Sequence, residues 1–151
     1  MIQRRRLIGL LTALPALGLA RAARAATPEV FSRDGVAIGG ADPVAYFRVG
    51  AAVPGQIDHA LMWHGATWVF ATAENMEMFE MNPAAFAPQF GGYCAHALTQ
   101  GTLAPTVPDA FALFQGRLYL THDLATRDIW ASDIVANLAL ATAHWPAALA
   151  G

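Results

Sequence analysis

Four stretches of this chain carry a clear pattern of apolar positions, and each predicts an element. Ala60-Leu61-Met62-Trp63 and Thr67-Trp68-Val69-Phe70 are apolar and aromatic and flank His64-Gly65-Ala66. Runs of that kind around a glycine bend predict a hairpin. Phe111-Ala112-Leu113-Phe114 and Leu118-Tyr119-Leu120 flank Gln115-Gly116 and predict a second one. After the first hairpin, Thr72 suits the N-cap of a helix over Ala73 to Met81, with Glu74 and Glu77 in early turns where the helix dipole favours anions. Met76, Phe79 and the later Phe86 supply its inward side. Asn82-Pro83 closes it, and Pro88 stops a further turn through Phe86. Trp130, Ile134, Leu138, Ala141 and Trp145 recur at steps of 4, 4, 3 and 4. That spacing predicts one helix from about Arg127 to Trp145 with all five on a single face.

Weaker signals fill the intervals. Asp34-Gly35 reads as a turn before a short strand at Val36-Ala37-Ile38, which ends at Gly39-Gly40. Asp42-Pro43-Val44 suits either a capped helix start or a structural turn. Gly91 to Pro108 is irregular over 18 residues, a length that inside a compact domain points either to function or to a misassigned element. Two hairpins followed by helices, with no alternating βαβ units, predict an α+β fold. It is expected as a small antiparallel sheet of two hairpins covered by helices in a single compact domain.

The first 25 residues predict an export signal. Arg4-Arg5-Arg6 precedes an apolar run from Leu7 to Ala20, and Ala23-Arg24-Ala25 offers a small-x-small cleavage site. The paired arginines before Leu7-Ile8 match a twin-arginine signal, with an ordinary secretory signal as the alternative. Export implies a soluble periplasmic or otherwise exported protein. Residues 26–37 then form a lead, 38–146 the domain and 147–151 a tail. Beyond residue 25 there are four arginines, no lysine and eleven acids, a formal net charge of −7. So acidic a surface offers no footprint for nucleic acid. No stretch after the signal reaches the roughly 18 apolar residues of a membrane span.

Chemistry centres on Gly91-Gly92-Tyr93-Cys94-Ala95-His96, which holds the only cysteine. An exported lone thiol has no internal disulfide partner. It is a buried packing group, a metal ligand or a nucleophile. Positive φ at Gly91 and Gly92 would let backbone N–H groups approach the sulfur, and His96 shares a face with Cys94 if the segment is extended. His59, His64, His122 and His144 lie outside any Cys-x-x-Cys or His-Glu-x-x-His pattern. Ser32 and Ser132 are the only serines, neither in a nucleophile elbow. Glu74, Glu77 and Glu80 read as a solvated helix face.

The chain resembles the YHS domain family, in its exported branch with a cysteine or selenocysteine position. The resemblance spans Ile38 to about Trp145 and rests on Gly40-Ala41-Asp42-Pro43-Val44-Ala45-Tyr46-Phe47, on Gly65 to Asn75, on Asn82 to Ala95 and on Gln100-Gly101-Thr102-Leu103-Ala104-Pro105. Metal-associated members carry cysteines after the Asp-Pro-Val motif and around the strand-to-helix junction. Here those places hold Ala45, Ala71 and Asn75, so their metal binding does not carry over. Selenocysteine at the Cys94 position in relatives implies reactivity or soft-metal ligation there.

The leading expectation is therefore a soft-metal site, copper in preference to zinc, built on Cys94 with His96. Its remaining donors would be a second histidine, a methionine from Met62, Met76 or Met81, or a metal-exchanging partner protein. The competing expectation is a thiol redox protein in which Cys94 is the catalytic nucleophile and an external thiol resets it. A third is a non-catalytic binding module presenting Gly101 to Pro108 to a partner.

Overall fold

The computed structural model describes residues 25–151. The expected export signal, apart from Ala25, lies outside the described residues. In chain order the elements are β1 (Ser32–Arg33), β2 (Val36–Ala37), α1 (Ala45–Val49), β3 (Gln56–Trp63), β4 (Ala66–Phe70), α2 (Ala73–Met81), α3 (Pro83–Phe86), α4 (Ala95–Leu98), β5 (Phe111–Phe114), β6 (Arg117–Leu120), α5 (Leu124–Ser132) and α6 (Ile134–His144). This is the expected α+β class. Among the described residues no helix is long and apolar enough to cross a membrane.

Both expected hairpins form, and for the expected reason. At the β3–β4 bend His64 has φ 48° and Gly65 φ 76°; at the β5–β6 bend Gln115 has φ 50° and Gly116 φ 71°. Two successive left-handed residues make the tight turn whose twist matches paired strands. Leu61 faces Trp68 and Trp63 faces Ala66 across the first hairpin. The sheet arrangement departs from expectation. β3–β4 belongs to a four-stranded sheet of order β1-β2-β4-β3, with β2 parallel to β4, while β5–β6 stands alone. The parallel pairing needs Val36 beside Thr67, a contact between distant segments that local pattern does not encode.

The single C-terminal helix is also corrected, because it breaks at Asp133, where φ is −143° and ψ 67°. Asp133 Oδ1 accepts the N–H of Ala136 and caps α6, while Asn137 Nδ2 donates to the Trp130 carbonyl at the end of α5. Short polar side chains that offer the backbone such bonds end helices even inside an apolar repeat. The five periodic residues still meet. Trp130 and Ala141 are buried in one cluster with Phe90, Ala95, Leu98 and Tyr119, and Ile134, Leu138 and Trp145 pack against it.

A second cluster joins the four-stranded sheet to α1 and α2 through Ile38, Val44, Tyr46, Trp68, Phe70 and Phe79. Leu118 and Leu120 of β6 enter this cluster, whereas Tyr119 between them enters the other. Strand alternation thus makes β6 a wall shared by two cores, and the small sheet is covered on both faces. The N-terminal lead closes the structure: Phe31 N–H donates to the Gly91 carbonyl at 2.8 Å, and Tyr93 Oη donates to the Pro28 carbonyl at 2.7 Å.

All three tyrosines are held neutral by this packing. Burial pushes the Tyr46 phenol up, helped by the charges of Asp109 and Asp42; burial also raises Tyr93, and raises Tyr119 against the opposing charge of Arg117. An unfolded tyrosine ionises near 10.0. The stabilisation is therefore complete below that pH and is lost as pH rises through the higher folded values. In an alkaline titration, tyrosinate absorbance is expected to lag behind a free tyrosine and then rise together with loss of the circular dichroism of the fold. A first tyrosine titrating near pH 10.0 in folded protein would contradict this.

Candidate functional site around Cys94

Residues Gln89 to Gly92 form a tight turn in which Phe90, Gly91 and Gly92 take φ of 58°, 62° and 81°. The two glycines adopt the positive φ expected of them, but the turn serves packing. A Cβ on Gly91 would fall onto the Glu29 carbonyl oxygen, and one on Gly92 would lie 2.6 Å from Ile38 Cγ2. The N–H groups of Tyr93 and Cys94 are spent on the carbonyls of Phe90 and Ala104. Cys94 itself is the N-cap of α4; its carbonyl accepts from Leu98 N and it is 1% exposed.

His96 is the second residue of α4. Cys94 is the extended N-cap (φ −61°, ψ 113°) and His96 is helical, so the fully extended Cys-x-His segment does not form. His96 Nδ1 is buried without a hydrogen-bond partner, as is Trp130 Nε1. The other histidines are engaged elsewhere or distant in the fold. His144 Nδ1 meets the carbonyls of Leu98 and Leu140, His122 Nδ1 meets that of Pro105, and His64 Nδ1 lies 3.0 Å from Glu29 Oε2. His59 sits on β3. Met62 and Met81 are exposed, and Met76 packs against the sheet core. Among the described residues no group of three or more His, Cys, Asp or Glu is placed to hold a metal.

The segment from Gly101 to Pro108 is stitched down as well. Thr106 Oγ1 donates to the Gly92 carbonyl, Val107 N to Thr121 O, and Tyr46 Oη to Pro108 O. It braces Cys94 through the Cys94 N–H to Ala104 carbonyl bond, and of its residues only Thr106 is buried.

The cysteine-less positions converge. Ala45, Ala71 and Asn75 line one cleft together with Arg48 and Glu74. Behind it lies a polar hub that sequence reading saw only as a helix cap. Asp42, 0% exposed, accepts Val44 N (2.8 Å) and Ala45 N (3.2 Å) on Oδ1, and Ala71 N (2.8 Å) and Asn75 Nδ2 (2.6 Å) on Oδ2. Asn75 Oδ1 in turn accepts from Arg48 Nη1 at 2.9 Å, and Arg48 pairs with Glu74. Two methyl groups, a carboxamide and the Arg48–Glu74 ion pair occupy this cleft, with no thiolate among them.

A second cleft, of about 150 Å³, was not foreseen at all; it is lined by Glu29, Trp63, His64, Trp68, Gly91 and Trp145 among others. Its residues come from the lead, the first hairpin, the glycine turn and the end of α6. No local signal unites them, because docking of the lead brings them together. Comparison of the chain with protein-family models, with curated proteins and with solved structures returned no match.

Proposed function

We propose that this chain is a non-catalytic binding domain, exported by its N-terminal segment, in which Cys94 is a packing group. The observation that carries this reading is the 1% exposure of Cys94 at the head of α4, with its N–H and carbonyl both engaged. A thiol nucleophile must be met by its peroxide or disulfide in the folded state. The YHS resemblance draws support from the convergence of Ala45, Ala71 and Asn75 in one cleft, and their identities argue against thiolate metal chemistry there.

The unpartnered Nδ1 of His96 favours one second reading, a soft-metal ligand role for Cys94 with copper preferred to zinc and the missing donors supplied by a metal-exchanging partner. One preparation tests both. In metal-free mature protein, iodoacetamide is expected to alkylate Cys94 at least about a hundredfold more slowly than after denaturation, because reaction waits on local opening. Rapid alkylation with sulfenic acid formation under peroxide would replace this reading with the redox one. Competition against a Cu(I) chelator decides the second reading: equal retention of Cu(I) by wild type and Cys94→Ser removes it.

A further inference from the structure

We infer that the cleft between the first hairpin and the end of α6 binds a small quaternary ammonium group. Its walls are aromatic and set in place. Trp63 stands edge-on to Trp68 and Phe79, with ring centroids 5.6 and 5.5 Å apart. Trp145, which also lines the cleft, leans on Phe90 and Tyr93 at 6.0 and 6.4 Å. Held in this way, the rings need little ordering on binding. Gly91 leaves the space between them open, since a Cβ there would also approach Trp145 Cη2 to 3.3 Å.

Charge selects the guest. Among the described residues, Glu29 is the one carboxylate lining the cleft, and no arginine lines it. Its Oε2 sits 3.0 Å from His64 Nδ1, a contact that uses one of the two carboxylate oxygens. Indole faces attract cations through their quadrupole, and desolvation strengthens the attraction. A primary ammonium must find acceptors for three N–H donors, whereas a quaternary one has no donor to satisfy against the indole walls. A volume of about 150 Å³ is on the scale that admits a benzene-sized guest, which a trimethylammonium head matches. The inference gives the binding reading a site, while the thiol measurements test that reading independently.

The test titrates mature protein with choline and with its neutral isostere 3,3-dimethylbutan-1-ol at constant ionic strength, following tryptophan fluorescence. Three of the four tryptophans line the cleft, so occupancy is visible. Choline is expected to saturate, and the neutral analogue to bind at least about fivefold more weakly. Glu29→Gln is expected to weaken choline by about threefold to fivefold, the scale of a partly exposed ion pair. Trp145→Leu should weaken it by about tenfold while Trp145→Phe keeps most of the affinity, with circular dichroism confirming that both variants fold. Equal binding of choline and the alcohol would overturn the cationic specificity, absence of saturable binding by either would overturn the site, and full choline affinity in folded Trp145→Leu would place the ligand elsewhere.

Discussion

Asp42→Asn is expected to destabilise the domain by about 3–5 kcal/mol, the range for breaking a buried charged hydrogen-bond set. The carboxylate faces four donors on two oxygens and has no contact with water. An asparagine of nearly the same shape keeps one oxygen. Its NH₂ then meets either the N–H groups of Val44 and Ala45 or those of Ala71 and Asn75, and two buried donors lose their acceptor. The loss reaches three elements at once, since the hub ties the start of α1 to the end of β4 and to α2. Urea unfolding should show a lower midpoint with an unchanged slope. Arg48→Met, which removes the half-exposed end of the network and the donor to Asn75 Oδ1, should cost less, about 1–2 kcal/mol. A stability of Asp42→Asn within that same margin would show that the hub is dispensable.

Gly91→Ala carries the second large effect, expected above about 3 kcal/mol from combined strain and displacement. Gly91 has φ 62°, and its absent side chain would overlap the Glu29 carbonyl, a backbone atom that cannot swing aside. The lead must lift, and it takes with it the Phe31 to Gly91 hydrogen bond. Gly35→Ala is the control, because φ there is 80° with open space around it; the backbone term alone is about 1–2 kcal/mol. Thermal melts of the two variants, with limited proteolysis of the lead, separate the contributions. Equal losses would show that Glu29 yields without cost.

The elements that sequence disclosed are those built from neighbours. Thr72 caps α2 by accepting the Asn75 N–H, and the two hairpin bends carry glycine where φ is positive. The apolar repeat from Trp130 to Trp145 does not show the break at Asp133; the repeat describes which residues share a core, and it holds across a break. What escaped depends on distance along the chain. Asp42 meets Ala71 and Asn75 across 29 and 33 residues, so only its local cap was readable. The Cys94 and His96 pairing rested on an extended backbone, and the chain turns helical at Ala95, one residue after Cys94. The tryptophan cleft drew Trp63 and Trp68 from a strand pattern and Trp145 from a helix pattern, and neither pattern describes what lies between elements.

The pinned lead also orders events during folding. Both hairpins close short loops, which is quick. Pro28 and Phe31, by contrast, find their partners 65 and 60 residues away, at Tyr93 and Gly91. A chain emerging from its N-terminus exposes this segment first and must carry it unpaired until the glycine turn exists. Contacts of such high contact order form late, so the first residues of the domain to be made are the last to be seated.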